Sequence, residues 1–114
     1  MPNLLSRALA TAGYTHTEAD IAEGVACGDF QRWELNDSVI ITEVRDTPKH
    51  RYVHFFLAEG KMDELQVMTP MILDWARMHG CTRASLCGRK GWERVPWLRD
   101  SGWQHRHVVL ERDL

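Results

Sequence analysis

Within seven residues, Gly88-Arg89-Lys90-Gly91-Trp92-Glu93-Arg94, the chain places two glycines, three cations and an indole, and Gly102-Trp103 follows soon after. Glycine lets backbone approach a ligand closely, guanidinium and ammonium groups suit phosphate or carboxylate, and the indole offers a large apolar face. The stretch comes directly after a short run that reads as a buried strand, the place where α/β folds build ligand crevices. Arg83, Arg89, Lys90, Trp92 and Arg94 are therefore expected to form a binding surface, with Arg99 adding charge, and a phosphate or an acidic partner would suit it. The plainer reading is that loop cations are solvated and that Trp33, Trp75, Trp97 and Trp103 are core and helix-packing residues. Trp92, beside Gly91 and two cations, is set apart from them.

A second chemistry to weigh is metal or thiol chemistry. Cys81 and Cys87 flank one strand, His79 precedes them, and His105 and His107 come later. Zinc sites usually start from close pairs such as Cys-x-x-Cys, and these cysteines are six positions apart, so no metal site is expected. Cys27, Cys81 and Cys87 read instead as small buried apolar residues. An odd number of cysteines behind an N-terminus without a secretory profile points to reduced thiols inside a cell.

The elements that must position these groups follow from length and periodicity. The 114 residues suit one domain over 1–114 with its own core. A formal net charge of −2 with interspersed basic and acidic residues gives nucleic-acid binding little support, and no apolar run approaches a bilayer span. Leu4, Leu5, Ala8 and Leu9 predict a first helix stopped by Gly13. Thr15 with Glu18 has the capping-box spacing for a second, whose stripe of Ile21, Ala22, Val25 and Ala26 closes at Gly28. Gln31–Trp33 and Ser38–Val44 predict a hairpin across Glu34–Asp37. Arg51–Ala58 reads as a central strand with Tyr52, His54 and Phe56 on one face and Val53, Phe55 and Leu57 on the other. Leu65, Met68, Ile72, Trp75, Ala76 and His79 mark a helix face ending at Gly80, with Pro70 predicting either a kink or a new start capped by Thr69. Thr82–Leu86 is a further strand, Trp92–Leu98 a weaker helical segment, and His107–Leu110 a last strand. The crossover helix makes the strands at 51–58 and 82–86 parallel. The expected fold is α+β, a mixed sheet of about five to six strands flanked by helices.

This element order resembles the GNAT superfamily of acetyl-coenzyme A (acetyl-CoA)-dependent N-acetyltransferases, lacking the usual first strand. Trp75-Ala76-Arg77 with Gly80-Cys81-Thr82-Arg83, Gly88–Arg94 and Gly102-Trp103 is similar to a group of small GNAT-like proteins of tailed bacteriophages and prophages. The resemblance implies a cofactor loop at Ala58-Glu59-Gly60-Lys61-Met62-Asp63-Glu64, where helix amides would hold the pyrophosphate. Only Gly60 and Lys61 match that chemistry. Asp63 and Glu64 would place carboxylates at the helix entrance, with Glu59 adding a third, and so repel a diphosphate. The resemblance also implies a base near the central strands, for which Glu43, Glu59 and His54 are the candidates, and a tyrosine acid near the later helix. The only tyrosines are Tyr14 and Tyr52, so the acid has no candidate.

Two functions follow as expectations. The favoured one is a catalytically degenerate GNAT-like phage protein with no cofactor. It would act by binding a protein partner, such as other virion proteins, as a virion-associated or ejection-associated component, in the bacterial host cytoplasm and incorporated into the virion. The alternative is an acetyl-CoA-dependent N-acyltransferase with an atypical cofactor loop.

Overall fold

A computed structural model describes residues 3–13, 15–87 and 92–114. Helix α1 (Leu4–Thr11) is capped by Asn3, whose side chain accepts from the Ser6 amide at 2.8 Å. Helix α2 (Glu18–Cys27) does start on a capping box, but Thr17 and Asp20 form it rather than Thr15 and Glu18. The two threonines offer the same chemistry two residues apart, and Asp20 can return a hydrogen bond as well as Glu can. Of the expected α2 stripe only Ile21 is buried. Ala22, Val25 and Ala26 face solvent, and Gly24 lies against Phe30 instead.

The hairpin is longer than its sequence suggests. Strand β1 (Gln31–Leu35) pairs antiparallel with β2 (Ser38–Asp46), leaving only Asn36 and Asp37 as the turn, with Asn36 in the left-handed region at φ 49°. Strand β3 (Arg51–Glu59) pairs antiparallel with β2. Helix α3 (Met62–Met78) then crosses over, and β4 (Arg83–Leu86) returns parallel to β3 as expected. The order β1-β2-β3-β4 makes a four-stranded mixed sheet. A 3-10 turn (Trp92–Arg94) and helix α4 (Pro96–Asp100) follow, and then a stretch to Leu114 without regular secondary structure.

Four strands thus form among the described residues, rather than five to six. The last predicted strand, His107–Leu110, has no regular secondary structure and pairs with no described strand, with Val108 72 % and Leu110 91 % exposed. β-propensity favours extended backbone, but only a hydrogen-bonded ladder makes a strand, and this segment joins none among the described residues.

One irregularity organises the sheet. Ile41 pairs with Leu57 and Thr42 with Phe55, so Phe56 has no partner and forms a bulge. Strict alternation would put Leu57 on the face of Val53 and Phe55. The extra residue moves it across, so Leu57 joins Leu5, Ala8, Leu9, Ile21, Val39 and Ile41 beneath α1 and α2. Phe56 points to that same side, stacked on Phe30 at 5.6 Å, with His16 edge-on at 4.8 Å. The opposite face buries Ile40, Val53 and Phe55 against Leu65, Met68, Ile72 and Ala76 of α3. Pro70 neither ends this helix nor starts another. Thr69 is buried within it and its hydroxyl donates back to the Leu65 carbonyl at 2.8 Å. A mid-helix proline costs about 3 kcal/mol. The four-residue apolar stripe of α3 outweighs this, since burying each large side chain contributes about 1.5–3 kcal/mol.

Candidate functional site

Strands β3 and β4 pair only from Tyr52↔Arg83 to Phe55↔Leu86. β4 ends there, β3 continues through the Phe56 bulge, and a cavity of about 500 Å³ lies past the last pair. Phe55 and Ala58 of β3, Leu86 and Cys87 at the end of β4, and Leu65 and Thr69 of α3 contribute to its wall, with α1 closing another side. Trp92, Trp97 and Trp103 also border it. The site is largely apolar. Its titratable neighbours among the described residues are Arg45, His54, Cys87 and Glu111.

His54 is the buried one, 3 % exposed, and its Nδ1 lies 2.8 Å from the Ser85 hydroxyl across the β3–β4 pairing. Burial is the main force holding its pKa down to about 4, the nearby Arg45 guanidinium lowers it further, and Glu43 opposes both. Glu43 stands opposite His54 in the β2–β3 register and is ion-paired to Arg45. Glu59 lies at the far end of β3, opposite Val39. The three base candidates are therefore not gathered into one cluster: His54 and Glu43 are neighbours, and Glu59 is displaced along the strand past the bulge.

The loop leading into α3 is built around Ser38. Gly60 has φ 134°, and a Cβ there would lie 2.3 Å from Ser38 Oγ and 2.5 Å from Ser38 Cα. Ser38, itself 1 % exposed, accepts from the Lys61 amide at 2.9 Å and donates to Glu64 Oε1 at 2.6 Å. Glu64 is correspondingly covered, 9 % exposed. Its carboxyl pKa is held below the ordinary value first by the Ser38 hydroxyl and next by Asn36. Lys61 caps α3 without a side-chain hydrogen bond, and its Nζ lies 3.3 Å from Asp37. Sequence reading placed Glu64 at the helix entrance but missed Ser38, which clamps it there. The two are 26 positions apart, and the β2–β3 pairing, with Val39 opposite Glu59, brings them together. Replacing Ser38 with alanine is expected to lower stability by about 1–3 kcal/mol, because the buried Glu64 carboxylate loses a donor; a urea melt at pH 7 measures it.

The expected binding surface is only partly described, because Arg89 and Lys90 lie outside the described residues. Arg83 and Arg94 are exposed and sit on opposite sides of β4 along the chain, Arg83 at its start and Arg94 after its end. Arg83 donates to the Tyr52 hydroxyl at 3.1 Å. Trp92 is half-buried against the cluster beneath α3 while also bordering the cavity. Trp97, read as packing, carries the one buried polar side-chain atom without a partner among the described residues, its Nε1, and it borders the same cavity. Composition offered no signal for that.

The cysteines are not the buried trio expected. Cys27, the last residue of α2, and Cys87, just past the end of β4, are exposed. Cys81 is half-buried, and burial pushes its thiol pKa up. Among the described residues no group of three or more His, Cys, Asp or Glu side chains is placed to hold a metal ion. No described helix is long and apolar enough to cross a membrane.

No protein-family model and no curated protein matches the sequence. Solved structures do match the fold. A point-mutant form of TTHA1254 from Thermus thermophilus superposes with a TM-score of 0.66 at 16% identity, covering 96% of this chain and 89% of that one. An acetyltransferase of Trypanosoma brucei gives 0.62 at 11% identity, covering 96% and 92%. A possible acetyltransferase of Clostridium difficile 630 gives 0.57 at 8%, covering 95% and 84%. At these identities the likeness is one of fold alone: an α+β architecture with a mixed sheet flanked by helices.

Proposed function

We propose that this chain is a GNAT-fold protein that acts by binding another protein and does not transfer acetyl groups. The observation that carries this reading is the state of the basic groups at the cavity past the last β3–β4 pair. Taking a proton from an amine near neutral pH needs a base whose pKa lies close to the working pH. The buried candidate, His54, has its pKa pushed down to about 4 and its Nδ1 engaged by Ser85. Glu43 is held in an ion pair with Arg45. Tyr52 is bound by Arg83, and Tyr14 lies outside the described residues.

The residues at the start of α3 do not fit a diphosphate. Glu64 is fastened in the first turn by Ser38, Asp63 follows the same entrance, and Lys61 is already beside Asp37. Swinging Glu64 aside would break a buried hydrogen bond, so its charge stays where a diphosphate would gather. The likeness of the Trp75–Trp103 region to small proteins of tailed phages supports a partner within a phage particle or its ejection apparatus, with the chain made in the host cytoplasm.

A second reading, an N-acyltransferase with an atypical cofactor loop, is favoured by one observation. The buried, unpartnered Trp97 Nε1 beside an apolar cavity of about 500 Å³ would suit a carbonyl oxygen. Calorimetric titration separates the two. Acetyl-CoA is expected to give no binding heat up to roughly 1 mM, and a micromolar Kd would replace the first reading by the second.

A further inference from the structure

We infer that the free edge of β4 docks an extended, acidic segment of a partner protein, which adds to the sheet as a further strand. This deepens the protein-binding reading above and rests on it for the partner being a protein. Strand β4 pairs with β3 on one side only, and no described strand lies on the other. An open edge presents backbone donors and acceptors that an extended peptide can satisfy.

A groove of about 260 Å³ lies beside that edge. Arg83 and Ala84 of β4 border it on one side, and Trp103 and Arg106 of the stretch after α4 border it on another. Further along, Val109 and Glu111 share the main cavity with Leu86 and Cys87. The C-terminal stretch therefore runs near the flank of β4 without pairing with it, so the outer backbone groups of β4 have no strand partner among the described residues.

Charge selects the occupant. Arg77, Arg83 and Arg106 border the groove, and no Asp or Glu among the described residues does. Arg77 already holds Asp74 at 2.7 Å, so selectivity falls on Arg83 and Arg106. Arg83 uses one N–H on the Tyr52 hydroxyl, which steadies its guanidinium and leaves its other donors for a carboxylate. A second copy of this chain fits less well. Its own exposed C-terminal stretch, 105–114, carries Arg106 and Arg112 beside Glu111 and Asp113, so it has no excess of acids to offer the groove.

Fluorescence anisotropy with a labelled octapeptide alternating threonine and glutamate, against its threonine–lysine counterpart, tests this on the full chain. The acidic peptide should bind about ten-fold more tightly or better. The double change Arg83→Glu and Arg106→Glu should weaken it by about ten-fold with Tm unchanged, and hydrogen exchange should slow at Arg83–Leu86 when it binds. Should the double variant unfold, Arg106→Glu alone on the exposed stretch gives the same comparison. Equal or absent binding of the two peptides, indifference to charge reversal, or unprotected β4 amides overturns the inference. So does a concentration-dependent dimer that protects the same amides. Acetyl transfer by the same preparation would sink the non-catalytic reading and leave the peptide result standing, whereas silent peptides without turnover sink this inference alone.

Discussion

Replacing Gly60 with alanine is expected to cost about 3 kcal/mol or more, and so to lower Tm by about 12 °C or prevent folding. Two independent effects add at this position. The backbone sits at φ 134°, which L side chains rarely adopt, and the new Cβ would meet Ser38 Cα at 2.5 Å. A flexible side chain could yield, but backbone in the middle of a paired hairpin cannot do so cheaply. Ser38 is held opposite Leu35 by the β1–β2 register, and its hydroxyl joins Lys61 to Glu64. Thermal melts of Gly60→Ala beside Gly28→Ala provide the comparison. Gly28 also has positive φ, at 89°, but open space around it, so its substitution carries only the backbone cost. Equal losses at the two sites would mean that the close approach of Gly60 to Ser38 contributes nothing.

The second large effect is a pH dependence traced to His54. Its ring titrates near 6.5 in the unfolded chain and at about 4 in the folded one, chiefly because burial disfavours the charged ring. Between those values the unfolded state holds more protons, so stability rises with pH across the window and is lost as pH falls from 6.5 towards 4. A shift of this size corresponds to about 3 kcal/mol in full. The cavity beside the ring admits solvent, and screening reduces this to about 2 kcal/mol. Urea melts at about pH 7.5 and about pH 4.5 should show that His54→Gln, which keeps a polar group facing Ser85, removes about 2 kcal/mol of the difference seen in the parent chain. Carboxylates also titrate in this range, but they are common to both proteins and cancel. An unchanged difference would assign the acid sensitivity elsewhere.

The helices and strand segments were largely legible in the sequence, because apolar spacing reports which face must leave water. Of the expected α3 face, Leu65, Met68, Ile72 and Ala76 are buried and Trp75 half-buried, while His79 is exposed at the C-cap; Gly28 closing α2 and the parallel return of β4 were read correctly. What periodicity could not show was a change of period inside a strand. Phe56 and Leu57 fall on the same face because a bulge inserts one residue, and nothing in Tyr52–Glu59 marks where it falls. Nor could β-propensity at His107–Leu110 supply a neighbour to pair with.

The candidate site divides in the same way. The amino-acid sequence by itself determined which chemistries are at hand: carboxylates in the first turn of α3, a shortage of tyrosines, and a histidine on the central strand. Those follow from residue identity and local spacing. The tertiary structure alone decided what state these groups are in: Glu64 clamped by Ser38, His54 buried against Ser85, Glu43 tied to Arg45, and the outer edge of β4 without a strand partner among the described residues. Most of these depend on contacts between residues distant along the chain. Burial and partner charge, which set protonation and accessibility, exist only once the sheet has brought those residues together.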